Sequence, residues 1–317
     1  MFKSFVYLLL LTLCIGHSQA VNAKQTSFSQ MRTVDGRSFD YKWLDKDNEV
    51  QILSFTIPNE TLLTLPESAP AYNPILKQNS IRRALMAYAK TVDPRLAKIS
   101  IKQSGGSIQM QVTAPTKEDA EAINKKLGEQ YTAAENAYMS KHYYVPFKNE
   151  FGQDFIKQDH KRYALESADG MQAIVTEIKK HLSNPRSPNE FIDFALSWLQ
   201  AIPYDTLENR ASSNGSGFAS PRQLLLDNKG DCDSKSTLFL ALMNAYNPKL
   251  QTSMVYLPNH ALVGVVLKPK DDQQFITDDG VRFVLAEPTG PAQYSLGEID
   301  NKSELAIRNR QVSLERF

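Results

Sequence analysis

The sequence has little of three features that would assign a protein to a class at once: cysteine, charge of one sign and long apolar runs. Its 317 residues contain only two cysteines, Cys14 and Cys232. Two cysteines are too few for a small scaffold held together by disulfides. Lysine and arginine together number 36, against 35 aspartates and glutamates. Since this balance is close to neutral, it gives no sign of nucleic acid or an anionic membrane as a partner.

The apolar run near the N-terminus is short. It covers residues 5–15, follows a single lysine and precedes small residues. This pattern predicts a secretory signal peptide over residues 1–20, with Ala20 or Ala23 as the last residue removed. We therefore expect a periplasmic or secreted protein. No later segment is apolar enough over the length of a bilayer, so we predict no membrane span.

Removal of the signal peptide would leave Cys232 as the single cysteine, which cannot form an internal disulfide. An inert buried thiol is the plain interpretation of a lone cysteine, but the position of Cys232 favours a reactive one. It stands in Gly-Asp-Cys-Asp, and the apolar run 238–243 that follows predicts a buried helix. Free N–H groups at the start of that helix favour a thiolate. The flanking Asp231 and Asp233 oppose it, so a base from elsewhere is needed.

The periodicities predict an α+β protein of two domains, at residues 24–165 and 166–317. The role of the first domain is unknown. Its His142 and His160 are interpreted as surface or packing residues, because no metal-ligand pattern surrounds them. The predicted elements of the first domain are a strand at 50–57, a helix at 81–92, a hairpin at 99–112 and a helix from Thr116 to about Lys141. Those of the second are helices at 170–182 and 188–200, the cysteine helix, and strands at 255–257, 260–267 and 281–286.

Three residues of the second domain offer the chemistry of cysteine catalysis. Such catalysis needs a thiolate, a base and a group that orients the base. Cys232 starts a helix, His260 begins one apolar run and Glu287 ends another. An antiparallel sheet packed on the helix would bring all three to one edge. We expect a ring nitrogen of His260 within about 4 Å of Cys232 Sγ, and a carboxylate oxygen of Glu287 near the other nitrogen.

Four segments together resemble the transglutaminase-like superfamily, whose papain-related fold packs a cysteine-bearing helix on an antiparallel sheet. They are WLQAIPYD, PRQLLLDNKGDCDSKSTLF, NHALVGV and FVLAEPTG. The resemblance covers about a third of the chain. It implies Cys232 as nucleophile, His260 as base and Glu287 as orienting acid. Glu287 stands where the family usually has aspartate.

The resemblance also bears on Gln200 and on the two aspartates. In papain-related enzymes a glutamine upstream of the nucleophile donates to the oxyanion, which implies this role for Gln200; the alternative is a helix cap or surface residue. The backbone N–H of Cys232 is the favoured oxyanion donor. Exported bacterial members with acidic residues beside the nucleophile depend on calcium, so Asp231 and Asp233 have calcium ligation as an alternative. Helix capping is the preferred interpretation, and no cofactor is expected to be required.

These observations predict an exported cysteine peptidase or amidase that acts on a protein or peptide through an acyl-thioester at Cys232. The first alternative resolves the same acyl-enzyme with a lysine amine, which gives protein cross-linking. The second is a binding module that keeps the fold without catalysis.

Overall fold

The computed structural model describes residues 24–148, 151–209, 213 and 215–317. The predicted signal peptide lies outside these residues. Within the described ranges the protein is a mixed α+β structure with antiparallel sheets, as the sequence predicts. In the same ranges, no helix has both the length and the apolar character needed to cross a membrane.

The α-helices are α1 (Asn59–Thr64), α2 (Pro74–Ala89), α3 (Lys117–Lys141), α4 (His160–Ser167), α5 (Gln172–Lys180), α6 (Pro188–Ala201), α7 (Pro221–Asp227), α8 (Cys232–Tyr246) and α9 (Asn301–Arg308). The strands are β1 (Lys24–Arg32), β2 (Gly36–Leu44), β3 (Val50–Pro58), β4 (Lys98–Ser104), β5 (Ser107–Thr113), β6 (Tyr144–Lys148), β7 (Asp154–Gln158), β8 (Thr252–Leu257), β9 (His260–Val266), β10 (Phe275–Asp278), β11 (Val281–Ala286) and β12 (Ser313–Arg316). A short 3₁₀ turn, Ala168–Met171, joins α4 to α5.

Helix α8 is the centre of the fold. Its apolar run is buried on nearly all sides, as predicted, and it contacts α4, α5, α6 and α7 as well as strands β8 and β9. Asp231 begins the helix by accepting a hydrogen bond from Ser234 N at 2.9 Å. Asn247, in extended conformation before Pro248, ends it. The helix therefore starts at Cys232 for a local reason that the sequence contains.

A five-stranded antiparallel sheet, in the order β10-β11-β9-β8-β12, covers α8. Residues of its inner face, such as Met254, Val263 and Val284, belong to the same buried cluster as α8. Residues of its outer face, such as Val255 and Leu285, form a second cluster with α9. A strand that is buried on both faces consists of consecutive apolar residues, and β8 and β9 could therefore be predicted from their apolar runs.

The N-terminal sheet β1-β2-β3 packs against α6. The ring of Tyr41 meets Trp198 edge to face at 5.2 Å, and Trp43 meets Phe194 in the same way at 5.7 Å. Trp43 Nε1 donates to Ser197 Oγ at 2.9 Å. These aromatic residues belong to the same buried cluster as α8, so the sheet shares the core of the cysteine region.

A separate small core lies in the segment from α2 to α3. Helices α2 and α3 pack on the β4–β5 hairpin around Ile81, Leu85 and Leu127. We call these elements, residues 74–141, the lobe. The buried clusters thus divide the chain differently from the predicted boundary at 165/166. The sequence order suggested two consecutive domains, whereas the structure inserts the lobe between parts of one larger core.

The individual elements of the lobe follow the sequence closely. The hairpin turns at Gly105-Gly106, both with positive φ. Thr116 caps α3, and its hydroxyl and the Asp119 backbone N–H are 3.1 Å apart. Helix α2 begins seven residues before the predicted start. Asn73 Oδ1 accepts from two backbone N–H groups, and Pro74 occupies the first helical position.

Replacing Trp43 with alanine is expected to destabilise the whole cysteine region. The change removes a fully buried ring and the hydrogen bond to Ser197, which costs about 3–5 kcal/mol of unfolding free energy. Urea unfolding followed by far-UV circular dichroism measures this loss. Trp43→Phe is the control: it keeps ring contacts and loses the hydrogen bond, a cost of about 1 kcal/mol. If Trp43→Ala only added a small unfolding transition at low urea and left the main transition unchanged, the N-terminal sheet would not share the core of the cysteine region.

Candidate active site

Cys232 occupies the first helical position of α8 and is partly buried. Gly230, two residues before the cysteine, forms an isolated bridge with Tyr204, so the segment after α6 runs beside the start of the cysteine helix. A side chain at position 230 would meet Leu224 at 2.8 Å. Small size at this glycine lets the chain approach α7 closely enough to place the thiol at the helix start.

The sulfur of Cys232 has two polar neighbours. Its thiol donates to Asp233 Oδ1 at 3.7 Å, and the backbone N–H of Ala261 lies where it favours the thiolate. Burial raises the pKa of Cys232, and the charges of Asp233 and Asp231 raise it further, while the Ala261 N–H lowers it. The net pKa lies above the usual value for a thiol. The carboxylates therefore oppose ionisation, as the sequence indicates.

His260 and Glu287 form the second half of the site. In the antiparallel pair β9–β11, Val263 lies opposite Ala286, so the chain after Ala286 runs back toward His260. His260 Nε2 and Glu287 Oε2 are 2.5 Å apart, and Glu287 Oε1 accepts from Thr289 N at 2.9 Å. The expected contact between Glu287 and a ring nitrogen of His260 is present.

Burial lowers the pKa of His260, but the hydrogen bond and charge of Glu287 raise it, helped by Asp300 and Asp233. The net pKa is above the usual value for histidine. The His260 side chain is 24 % exposed and that of Glu287 is 4 % exposed. A buried carboxylate thus orients a solvent-accessible imidazole and stabilises the imidazolium that forms when the ring accepts a proton, which is the arrangement of an oriented general base.

His260 immediately precedes Ala261, whose backbone N–H lowers the pKa of the Cys232 thiol. The expected distance of about 4 Å between Cys232 Sγ and a ring nitrogen of His260 stays a prediction. The thiol hydrogen bond nevertheless goes to Asp233 and not to a ring nitrogen of His260. His260 Nδ1 has no hydrogen-bond partner among the described residues. It is the nitrogen left for the thiol proton, since Nε2 is held by Glu287.

Gln200 has a role different from the predicted one. Its Nε2 donates to Glu287 O at 2.7 Å and to Tyr294 O at 2.9 Å, and its Oε1 accepts from Tyr294 N at 3.2 Å. Both amide hydrogens are therefore engaged by backbone carbonyls, which leaves neither for an oxyanion. The buried Gln200 instead fixes the loop that carries Glu287. A glutamine in this sequence position could not be assigned to one role without its partners.

Lys235 is a functional candidate that sequence reasoning missed. It lies on α8 and is completely buried, and its ammonium donates to Ile202 O and Thr289 O, both at 2.5 Å. Burial lowers its pKa to about 7, against the charges of Glu287 and Asp231, which raise it. Lys235 joins the cysteine helix to the segment after α6 and to the loop after β11. Its position on a helix whose later residues form a buried apolar run was the available signal.

Asp300 is the third carboxylate near His260. Ligand atoms of His260, Glu287 and Asp300 lie within 4.8 Å of one another. Asp300 also caps α9 by accepting from Lys302 N and Ser303 N, and its pKa is lowered because these bonds and His260 outweigh burial. Each of the three already has partners within the protein. We therefore assign no metal to this group and take no chemical step through one.

Asp231 and Asp233 differ in their contacts. Asp231 Oδ1 accepts from the backbone and hydroxyl of Ser234, which is the preferred capping interpretation. Asp233 faces Cys232 on one side and the buried His160 on the other, with Oδ2 3.8 Å from His160 Nε2. Calcium demands six or more oxygen ligands. The described residues give these two carboxylates other partners, and calcium remains an untested alternative.

Two depressions border the site, one on each side of His260 and Asp300. One has a volume of about 580 Å³ and extends along α9, and the other, of about 230 Å³, is lined by the loop after Glu287. His260 and Asp300 line both depressions, and Cys232 lines neither of them.

Comparison with known proteins gives no match: no family model fits the chain, and no curated protein and no solved structure is significantly similar to it. The resemblance to the transglutaminase-like superfamily therefore remains a proposal based on four sequence segments.

Replacing Gly290 with alanine is expected to displace the loop that holds Glu287. An added Cβ would lie 2.2 Å from Gln200 O, and the residue has φ +64°. Because the atom that the added Cβ would meet belongs to the backbone, we expect a loss of more than about 2 kcal/mol of unfolding free energy and slower alkylation of Cys232. Gly280→Ala is the matched control. It has φ +78° with nothing within 4 Å, so it incurs only the backbone strain of about 1–2 kcal/mol. Equal losses in the two variants would contradict the close contact.

Proposed function

We propose that this protein is an exported cysteine hydrolase of the transglutaminase-like type, which cleaves peptide or amide bonds through an acyl-thioester at Cys232. The hydrogen bond between His260 Nε2 and Glu287 Oε2, beside a thiol at a helix start, carries the proposal. It supplies the oriented base that a lone cysteine lacks. A cysteine with only a structural role does not require a buried carboxylate hydrogen-bonded to a neighbouring imidazole.

In the proposed reaction His260 Nδ1 takes the proton of Cys232, and the thiolate attacks the substrate carbonyl carbon. The oxyanion is stabilised by the backbone N–H of Cys232, which has no acceptor within the first turn of α8. The C–N bond then breaks, and His260 returns the proton to the leaving amine. Water attacks the thioester with His260 as base, which releases the acid and restores the thiol.

Glu287 acts on His260 in each proton transfer. Its carboxylate holds Nε2, which leaves Nδ1 for the thiol proton in this mechanism, and its charge stabilises the imidazolium. Gln200 and Lys235 act one step further away by fixing the loop that carries Glu287. They are positioning residues in this mechanism, because neither is free to touch the substrate.

Peptide cleavage by the purified mature protein tests the proposal. A peptide library from a protein digest is incubated with wild type or Cys232→Ala, with a labelled primary amine present, and read by mass spectrometry. New peptide termini with wild type alone support hydrolysis. Labelled products that depend on Cys232 would replace hydrolysis with amine transfer. Neither product would favour the binding module.

A further inference from the structure

His160 lies deep beside the nucleophile, although its sequence surroundings give no hint of this. It is the first residue of α4 and is only 2 % exposed, with its ring packed 4.9 Å from that of Phe218. Its two ring nitrogens face different partners. Nδ1 is 3.0 Å from Tyr256 Oη, and Nε2 is 3.8 Å from Asp233 Oδ2.

The hydrogen bonds fix which nitrogen of His160 carries the hydrogen. Tyr256 Oη donates its only hydrogen to Glu315 Oε2 at 2.8 Å. It must therefore accept from His160, which places the hydrogen on Nδ1. In a neutral ring, Nε2 is then an acceptor that faces a carboxylate. Two acceptors repel each other unless one proton lies between them.

We propose that His160 and Asp233 share one proton, and that this removes the negative charge of Asp233 from beside Cys232. His160 is then a positioning residue for the nucleophile. This inference deepens the proposed function and rests on it. Their separation is longer than the 2.7–3.2 Å of a hydrogen bond, so the two groups must close to that range when they share the proton.

The electrostatic surroundings agree with this arrangement. Burial and the nearby Lys157 lower the pKa of His160 well below its usual value. Burial raises the pKa of Asp233, although Lys157, the thiol and His260 lower it. Both shifts favour placing the shared proton on the aspartate. An uncharged Asp233 can accept from the thiol without opposing a thiolate.

The other charged and titratable groups that face this pair come from several elements. Lys157 from β7 pairs with Glu315 from β12 at 2.8 Å, and Tyr256 from β8 lies between Glu315 and His160. His260 approaches from β9. Asp231 on the helix side and Asp159, which caps α4, add negative charge. Lys157 pairs with Glu315 but still lowers the pKa of both His160 and Asp233. Asp233 is the carboxylate next to the sulfur whose charge His160 can remove.

The test is the pH profile of iodoacetamide alkylation at Cys232 in the full mature chain, followed by mass spectrometry. His160→Phe keeps the ring and removes both nitrogens, so Asp233 ionises and repels the thiolate. We expect the midpoint to rise by about one pH unit, which is about a tenfold lower rate below the midpoint. Asp233→Asn in the wild-type background is expected to leave the midpoint nearly unchanged, because the amide resembles the protonated acid.

The double variant His160→Phe/Asp233→Asn shows whether the midpoint shift in His160→Phe comes from the charge of Asp233 or from a structural change. With no carboxylate left at position 233, the midpoint is expected to return to that of wild type. A shift that persists in the double variant overturns the proposal, as does a wild-type profile in His160→Phe. If His160→Phe does not fold, His160→Gln replaces it in both backgrounds, with the same expectations.

His142→Phe is the matched control, since His142 caps α3 in the lobe and stacks on Tyr138. It is expected to leave the profile unchanged. Failure of the proposed function would be seen in a different variant, His260→Ala. If His260 is not the base, this variant keeps the wild-type alkylation profile even if His160→Phe shifts it. The two failures are therefore distinguishable.

Discussion

Replacing Lys235 with methionine is expected to remove a rise in stability that wild type shows between about pH 7 and pH 10.5. The folded state lowers the pKa of Lys235 from 10.5 to about 7 because the ammonium is buried. The unfolded state therefore binds more protons in this window. Stability then increases with pH, and the full contribution is present above pH 10.5 and lost as the pH falls through 7. The difference corresponds to about 5 kcal/mol of unfolding free energy.

Urea unfolding at several pH values measures this effect as the difference between wild type and Lys235→Met, so that other titrating groups cancel. Methionine has a similar length and no proton to bind, but it leaves two carbonyl oxygens without their donor. Lys117→Met is the control, because this side chain is 83 % exposed. Parallel pH profiles of wild type and Lys235→Met would contradict a lowered pKa for Lys235.

Replacing Glu287 with glutamine is expected to lower the pKa of His260 and to slow peptide cleavage. In wild type the bond and charge of Glu287 outweigh the burial that lowers this pKa. Without the charge, burial is opposed less strongly and the pKa of His260 falls below its wild-type value. The turnover number should drop about 10²–10⁴-fold, since the ring loses its orientation and the imidazolium its counter-charge.

Nuclear magnetic resonance titration of the His260 ring measures the pKa, and the peptide assay measures turnover. Glu287→Asp is the matched variant. It keeps the charge, so the pKa of His260 should stay above that of Glu287→Gln, while the shorter side chain weakens the 2.5 Å contact. An unchanged His260 titration in Glu287→Gln would mean that the carboxylate does not orient the base.

The sequence predicted the elements whose signals are local. Helix α8 is specified by an aspartate cap, an apolar run and Asn247-Pro248 after it. The β4–β5 hairpin is specified by alternating residues around Gly105-Gly106. The apolar runs of β9 and β11 placed His260 and Glu287 at strand ends, and the register of the sheet brings those ends together. The contact between His260 and Glu287 could therefore be predicted by assuming only that the two strands are antiparallel.

The contacts that the sequence could not give are those between distant segments. His160 lies 73 residues before Asp233, and its contact with that side chain depends on how α4 packs on α8. The two aspartates look equivalent in Gly-Asp-Cys-Asp, yet one caps the helix and the other faces the thiol. Phe39, Tyr41 and Trp43 alternate as a buried strand face should, but only packing on α6 joins them to the core of the cysteine region.

The candidate site combines groups that work against one another. Burial raises the pKa of Cys232, and each flanking aspartate raises it further when it is ionised, whereas Ala261 N–H and the helix start favour the thiolate. A structural cysteine would need none of these opposing groups. The arrangement is consistent with a thiol that stays protonated at rest and loses its proton to His260 when substrate is bound.

The most direct measurement of this account is the rate of thiol-probe labelling at Cys232 as a function of pH, in wild type and in His260→Ala. Cys232→Ala gives the background, because Cys232 is the single cysteine outside the predicted signal peptide. If His260 is the base, its removal moves the labelling midpoint upward by one pH unit or more, or about 1.4 kcal/mol per unit. Superimposable profiles in wild type and His260→Ala would contradict the nucleophile–base pair and leave the binding module as the better description.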